Sequence, residues 1–128
     1  MKLLLDTCTF IWLATGDPAL SVAAQVVFED EENDAFLSAV SAWEIAVKNL
    51  LGGLRLSEPP ERFVPKYRSV HKIESLSLNE EMALQVRTLP RVHRDPFDRM
   101  LVCQAIAEGM TILTPDEMIR KYPVKTFW

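Results

Sequence analysis

Short apolar runs alternate with longer amphipathic segments along this chain of 128 residues. The first run, Lys2 to Leu5, contains three consecutive leucines and predicts a short buried strand, with Asp6 just beyond its end. Four further strands are predicted at 35–38, 72–76, 111–114 and 124–128. Strands separated by helical segments are typical of an α/β fold with a mainly parallel sheet, so we expect one such domain over residues 1–128.

Helices are predicted between the strands from the spacing of apolar residues and from capping residues. Asp17 followed by Pro18 predicts the start of the second helix, because proline fits the first helical position. Ser41 and Glu44 have the spacing of a capping box, which places both at the start of the third helix. The expected segments are 7–14, 17–31, 41–51, 61–70, 77–89, 95–109 and 116–121.

Composition narrows the class of protein further. Hydrophobic residues make up 48% of the chain and charged residues 25%, as in ordinary water-soluble domains. No apolar run approaches the roughly 20 residues of a membrane span, and Asp6 ends the leucine run too early for a signal peptide. We therefore expect a cytoplasmic protein with no membrane segment. The two cysteines, Cys8 and Cys103, are too few for a disulfide framework and do not have the spacing of metal ligands. Neither histidine lies in a recognisable nucleophile motif with them, which argues against thiol catalysis.

The net charge of −4 bears on possible partners. Proteins that bind nucleic acid by charge alone are usually basic. If this chain receives a polyanion, the negative charge must be offset where the phosphate lies. A bound divalent cation would provide that offset.

Four acids lie where predicted elements begin or end, and they are the candidate site. Asp6 and Asp116 follow predicted strands, while Glu44 and Asp98 fall in the predicted first turns of helices. In parallel sheets, sites lie beyond the carboxyl ends of the strands, so distant acids can meet there. Carboxylate oxygens suit Mg²⁺ or Mn²⁺ rather than zinc. Carboxylates crowded without a cation would raise one another's pKa, so such a cluster is typical of a metal site.

Each acid also has a purely structural interpretation. Asp6 and Asp116 can cap the helices that follow them, and a capping oxygen would leave the second oxygen of Asp6 free for a cation. Glu44 can complete a capping box, and Asp98 stands three residues after Asp95, which can itself cap. Asp98 is the hardest to explain in this way, because the segment 100–107 that follows it is apolar nearly all round.

Four segments of the chain, taken in order, resemble a known family. The chain resembles the PIN-domain ribonucleases, and among them the VapC-like toxins of type II toxin–antitoxin pairs, over essentially its whole length. The segments that carry the resemblance are Leu4-Leu5-Asp6-Thr7, Ser41-Ala42-Trp43-Glu44-Ile45-Ala46-Val47-Lys48, His93-Arg94-Asp95-Pro96-Phe97-Asp98-Arg99 and Leu113-Thr114-Pro115-Asp116.

The resemblance implies a three-layer α/β/α fold and the hydrolysis of RNA phosphodiester bonds with Mg²⁺ or Mn²⁺. It assigns both the metal and the catalysis to one set of acids: Asp6, Glu44, Asp98 and Asp116. It implies that Thr114 is a hydroxyl that supports a ligand or water. Asp95 resembles an additional acid that some relatives with an Asp-Pro-Phe-Asp segment carry. We expect it to cap the helix or to contact the metal ligands without binding the metal itself. Lys48 can pair with Glu44 one helical turn away, and Arg99 can either reach phosphate or lie on the surface.

The same resemblance implies partners. These are an RNA substrate, an antitoxin protein that blocks the acidic pocket, and a second copy of the chain in a homodimer or a higher toxin–antitoxin assembly. Trp12 and Trp43 are candidates for the dimer interface, and both fit the core equally well.

Two other functional classes share some of these features. A phosphoaspartyl hydrolase would need a second aspartate two residues after Asp6, where the chain has Cys8, and a receiver domain would need an acidic pair that is missing. A non-cleaving PIN-like module that binds RNA or protein is the alternative function. All four acids are present, which favours the nuclease.

Overall fold

All of residues 1–128 are described by the structure, a computed structural model. Its centre is a five-stranded sheet in the order β3-β2-β1-β4-β5, with every neighbouring pair parallel. The α/β fold with a parallel sheet is therefore confirmed. The strands are β1 (Lys2–Leu5), β2 (Asp34–Ser38), β3 (Glu74–Leu76), β4 (Thr111–Leu113) and β5 (Thr126–Phe127).

Six α-helices lie in the connections from β1 to β4, since a hairpin cannot join parallel neighbours. Two short 3-10 turns, Gln85–Thr88 and Ile119–Lys121, add to them. Measured against the thickness of a bilayer, none of the helices has the length and apolar character needed to cross it. The helices are α1 (Thr7–Thr15), α2 (Val22–Glu29), α3 (Ala39–Leu50), α4 (Pro60–Val70), α5 (Glu80–Leu84) and α6 (Pro96–Glu108).

The buried core is split between the two faces of the sheet. Because side chains alternate along a strand, Leu4 and Leu5 point to opposite faces. Leu4 joins a cluster that includes Leu101 of α6, whereas Leu5 joins one that includes Phe10 of α1 and Phe63 of α4. Helices thus cover both faces, which confirms the three-layer arrangement.

The predicted start of α2 is wrong. The helix begins at Val22, and its cap is Ser21, whose hydroxyl accepts a hydrogen bond from the Ala24 amide. Asp17 instead accepts from the amide of Ala19 and holds a turn ahead of the helix. An aspartate with a proline after it can serve a turn as well as a helix, so the local sequence did not distinguish them.

The predicted start of α3 is also wrong, and this changes the interpretation of Glu44. Strand β2 passes into α3 without a loop, and Ser38 caps the helix by accepting a hydrogen bond from the Val40 amide. Ser41 is therefore inside the helix, where its buried hydroxyl has no hydrogen-bond partner. Glu44 lies in the second turn rather than the first, so it belongs to no capping box.

The predicted bounds of α6 are confirmed at both ends. Asp95 caps the helix, Pro96 is its first residue, and Gly109 ends it in the left-handed conformation at a φ of 64°. The α-helix expected at 116–121 is wrong, because only Ile119–Lys121 is helical and it forms a 3-10 turn. These bounds fix Asp98 in the first turn of α6, at the mouth of a largely buried helix.

Candidate metal centre

Asp6 lies directly after β1 at the carboxyl edge of the sheet. It is 6% exposed and caps α1, since its Oδ1 accepts a 2.8 Å hydrogen bond from the Thr9 amide. The sequence predicted that its second oxygen would be free. Instead, this oxygen accepts a hydrogen bond from the hydroxyl of Thr114. Asp6 is thus fixed by groups from both ends of the chain, and its capping role is real.

Asp116 follows β4, the strand next to β1, and approaches Asp6 through a shared neighbour. The Thr114 hydroxyl that donates to Asp6 also accepts a 3.0 Å hydrogen bond from the Asp116 amide. Asp116 Oδ1 in turn accepts from the amides of Met118 and Ile119. Thr114 therefore holds two of the candidate acids together, which agrees with a supporting role.

Glu44 extends from the second turn of α3 toward α1 and is only 5% exposed. Its Oε1 accepts a 2.6 Å hydrogen bond from the Thr7 hydroxyl, and its Oε2 forms an ion pair with Lys48 one turn along the helix. The predicted pairing of Lys48 with Glu44 is thus present. A glutamate that is not needed as a cap, yet is buried and held by two partners, is a better site candidate than the sequence indicated.

Asp98 is held by a contact that the sequence did not reveal. Its Oδ2 lies 3.1 Å from His93 Nε2, and His93 Nδ1 lies 2.7 Å from the hydroxyl of Tyr122. Asp95 caps α6 by accepting from the amides of Phe97 and Asp98, as predicted. Asp95 thus supports the backbone at Asp98 from behind.

The electrostatics of Asp98 show that the acids lie near one another. Burial raises its pKa from 3.8 to about 6, and the hydrogen bond from His93 opposes part of that rise. The negative charges of Asp95, Asp116 and Glu44 raise this pKa further. Three carboxylates therefore act on Asp98 at once, and two of them, Asp116 and Glu44, come from distant parts of the chain.

Asp6 and Cys8 experience the same negative field. Burial raises the pKa of Asp6, hydrogen bonds from Thr114 and Thr9 oppose the rise, and the charge of Asp116 adds to it. Burial, together with the charges of Asp6, Glu44 and Asp98, raises the pKa of the Cys8 thiol to about 11. A thiol with so high a pKa carries almost no thiolate at neutral pH, so Cys8 is a poor nucleophile.

The acids lie at the same end of the sheet, but their side chains do not form a complete set of metal ligands. No group of three or more histidine, cysteine, aspartate or glutamate side chains is arranged to hold a metal ion. Both oxygens of Asp6 and both of Glu44 accept hydrogen bonds from the protein. Asp98 and Asp116 each keep one carboxylate oxygen without such a bond.

Sequence reasoning missed His93, Tyr122 and Thr7, and it left Arg99 either in contact with phosphate or on the surface. The Arg99 guanidinium points back onto its own loop, where it donates to the Pro90 carbonyl at 2.9 Å and to the Tyr122 hydroxyl at 3.1 Å. The available signal for His93 was its position five residues before Asp98, next to the cap of α6. Nothing in the sequence pairs it with Tyr122, which lies 29 positions away.

Comparison with known proteins adds the family. Among solved structures, VapBC2 from Rickettsia felis, bound to a DNA fragment from their promoter, matches with a TM-score of 0.72 at 15% identity, covering 99% of this chain and 98% of that chain. VapBC-1 from nontypeable Haemophilus influenzae gives 0.65 at 19% identity, covering 99% and 97%. FitAcB from Neisseria gonorrhoeae gives 0.58 at 20% identity, covering 98% and 96%.

These identities are low, so the structural matches support the fold alone. No curated protein sequence matches the chain significantly. The sequence model of the family described as PIN domain matches residues 3–125, nearly the whole chain. The chain therefore belongs to the PIN-domain family, whose members are generally nucleases.

Proposed function

We propose that this protein is a metal-dependent endoribonuclease that hydrolyses RNA phosphodiester bonds, and that it is the toxin of a type II toxin–antitoxin pair. The observation that carries the nuclease proposal is the crowding of other carboxylates around the partly buried Asp98. Asp116 and Glu44, which lie in distant parts of the chain, raise its pKa together with the neighbouring Asp95. A buried group of mutually repelling carboxylates is unfavourable by itself and becomes favourable when a cation neutralises it.

The donor set fits Mg²⁺ or Mn²⁺. The candidate ligands are carboxylate oxygens, which these hard cations prefer. Asp98 and Asp116 each offer an oxygen that no protein group occupies, and Asp6 lies beside Asp116 through Thr114. Glu44 would first have to exchange its ion pair with Lys48. We therefore assign Asp6, Asp98 and Asp116 as the main ligands and Glu44 as the fourth.

A bound Mg²⁺ or Mn²⁺ would supply positive charge beside the scissile phosphate and lower the pKa of an attacking water. The protein's own residues prepare the acids for that role. Thr114 fixes the spacing of Asp6 and Asp116, Thr7 holds Glu44, and His93 holds Asp98. Because these supporting groups are already hydrogen-bonded, the release of Glu44 from Lys48 is the main reorganisation needed when the cation and the substrate bind.

The toxin role is supported by the family and by the kind of assembly seen in similar folds. The VapBC2, VapBC-1 and FitAcB structures are toxin–antitoxin complexes, and each aligns over nearly the whole of this chain. We infer an antitoxin partner that covers the acidic site, assembly as a homodimer or a higher toxin–antitoxin complex, and action on RNA in the cytoplasm.

The test is cleavage of single-stranded RNA by the purified chain with Mg²⁺, with Mn²⁺ and with EDTA. We expect EDTA to abolish cleavage. Asp6→Asn and Asp98→Asn should each lower the rate by about 100-fold or more, because even residues that only support a metal ligand cost 10–100-fold when lost. The matched control is Asp34→Asn, an exposed aspartate at the start of β2, at the opposite edge of the sheet, which should cleave like the unmodified protein.

Two results would contradict the proposal. Cleavage that survives in Asp6→Asn and Asp98→Asn would indicate a contaminating nuclease. Binding of RNA without cleavage under any metal condition would favour the non-cleaving binding module instead.

A further inference from the structure

A basic cavity lies beside the candidate metal centre. It has a volume of about 600 Å³ and is lined by the loop that leads into α6, with three arginines and no acid among its lining residues. The lining residues are Arg91, Val92, His93, Arg94 and Arg99. His93 joins this cavity to the centre, because its Nε2 contacts Asp98. A local positive surface is notable in a chain whose net charge is −4.

The loop that carries the arginines is held in place from within. Arg99 donates to the carbonyls of Pro90 and Val86 and to the Tyr122 hydroxyl, and Tyr122 also contacts His93. Through these contacts, Arg99 holds the loop against the residues around Val86 and Tyr122. The contacts leave the loop ordered before any ligand binds, which lowers the entropy cost of binding.

Arg91 and Arg94 are the two arginines that remain available. Both side chains are exposed, and neither forms an ion pair or a hydrogen bond within the protein. The ion pairs that the protein does form involve Lys48, Lys66 and His93. Two uncommitted guanidinium groups on an ordered loop suit the binding of phosphate, to which arginine can donate two parallel hydrogen bonds.

An exposed aromatic ring stands on the same edge of the molecule. Trp43 is 58% exposed although it lies in a helix, and its ring packs edge-to-face against Phe97 with centroids 4.8 Å apart. Trp43 directly precedes Glu44, and Phe97 directly precedes Asp98. The indole therefore packs on the residue that precedes Asp98, while more than half of the side chain stays exposed. An exposed aromatic ring at this place is available to stack on a ligand.

We propose that these two features bind a single-stranded RNA segment across the metal centre, with Arg91 and Arg94 on backbone phosphates and Trp43 stacked on an unpaired base. The inference rests on the proposed nuclease function and names the residues outside the metal centre that hold its substrate. Flat aromatic rings stack on bases only when the bases are unpaired, so the substrate is a loop or a single-stranded stretch rather than a duplex. Stacking combined with a positively charged track is the usual means of holding a single strand.

The first test is fluorescence anisotropy with a labelled single-stranded RNA of roughly 12 nucleotides, within the range of known single-strand site sizes. Ca²⁺ replaces Mg²⁺ in this assay. Arg91→Gln and Arg94→Gln should each weaken binding severalfold and lower the slope of log affinity against log salt by about 0.7, the value for one phosphate contact on a single strand. The matched control is Arg62→Gln, an exposed arginine of α4, which should change neither quantity.

The second test concerns Trp43. Trp43→Ala should weaken binding of the same RNA by about fivefold or more, and Trp43→Phe should restore most of the loss, since any aromatic ring can stack. The control is Leu50→Ala, which removes a side chain that is 84% exposed at the other end of α3. The RNA duplex of the same sequence should bind more weakly than the single strand and should not respond to Trp43→Ala.

Three results would overturn the inference: equal affinity of the variants and the unmodified protein, equal affinity for duplex and single strand, or a Trp43→Ala variant that loses only a protein contact. Sedimentation would show the loss of a protein contact as a change from dimer to monomer with unchanged RNA affinity per chain.

The cleavage assay separates this inference from the proposed function. If Mg²⁺-dependent cleavage stays sensitive to Asp6→Asn while all the binding variants behave normally, only the RNA-binding inference fails. A chain that neither binds nor cleaves RNA contradicts both.

Discussion

Both oxygens of Asp6 accept hydrogen bonds, and one of these bonds is the helix cap that the sequence predicted as compatible with metal binding. One oxygen caps α1, and the other accepts from Thr114 beside Asp116. A helix cap contributes about 1 kcal/mol to stability, so this structural role is enough to fix the side chain in place. The position of this candidate ligand is therefore already set by folding, and a capping residue can at the same time be a candidate for the metal site.

The raised pKa of Asp98 predicts how the stability of the metal-free protein depends on pH. The unfolded value is 3.8 and the folded value about 6, so between these limits the folded state holds a proton that the unfolded state has lost. The free energy of unfolding is therefore greatest below about pH 4 for this group and falls as pH rises toward 6. Burial raises the pKa of Asp6 as well, which acts in the same direction.

Urea unfolding of the metal-free protein between about pH 4 and pH 7 checks this prediction. Asp98→Asn should lower the pH dependence in that window, because asparagine cannot take up the proton. If the dependence is the same in Asp98→Asn, the charge of Asp98 is not the cause. In the unmodified protein, Mg²⁺ affinity measured by calorimetry should rise with pH through 6, because proton and cation compete for the same oxygens.

At the scale of the elements, a buried polar chain ties together the two helices that carry Glu44 and Asp98. Gln104 lies in the middle of α6 and is fully buried. Its Oε1 accepts from the hydroxyl of Ser38, the cap of α3, and its Nε2 donates to the Ser77 carbonyl at 3.2 Å. One side chain thus sets the position of α6 against the start of α3.

Gln104→Leu is expected to destabilise the fold. Leucine fills a similar volume but leaves the Ser38 hydroxyl and the Ser77 carbonyl without their partner, at a cost of about 1–3 kcal/mol for a buried group. The urea midpoint should fall accordingly. Gln25→Leu, at an exposed position of α2, serves as the control and should shift stability by less than about 0.5 kcal/mol. Equal effects of the two changes would contradict the role given to Gln104.

The sequence predicted elements well where both ends carried a distinct signal. Helix α6 has Asp95 and Pro96 at one end and Gly109 at the other, and all three act as expected. The start of α3 was misplaced because two serines, Ser38 and Ser41, can each cap a helix, and only the direct passage of β2 into α3 selects the first. Local propensity cannot reveal where a strand ends when no turn residues follow it.

The candidate site was predictable as a set of acids, but its supporting contacts were not. Asp6, Glu44, Asp98 and Asp116 follow from their places at strand ends and helix starts and from the resemblance. His93, Tyr122 and Thr7 reach the acids only through tertiary packing, which brings distant residues into hydrogen-bond distance. The exposure of Trp43 was equally hidden, because a helical tryptophan in an apolar segment fits the core as readily as the surface.

For the molecule as a whole, Mg²⁺ should act as a stabilising ligand of the folded state. The acids that repel one another are far apart in the unfolded chain, so only the folded chain binds the ion tightly. At 100 times the dissociation constant the gain is about 2.7 kcal/mol, which raises the unfolding temperature by several degrees. Thermal unfolding with and without Mg²⁺ measures this. Asp6→Asn should show a much smaller rise than Asp34→Asn, and an equal rise in both would place the ion elsewhere.

The position of β1 at the centre of the sheet has a consequence for synthesis of the protein. β1 and Asp6 leave the ribosome before β4, one of the two strands that pair with β1, which lies about a hundred positions later. The hydrogen bond from Thr114 to Asp6 spans 108 positions, so it forms only after Thr114 has been translated. Folding that depends on such distant contacts is slow and late. A polypeptide that lacks β4 and Thr114 therefore carries no assembled candidate site, and any activity of that site can arise only after these residues have been synthesised.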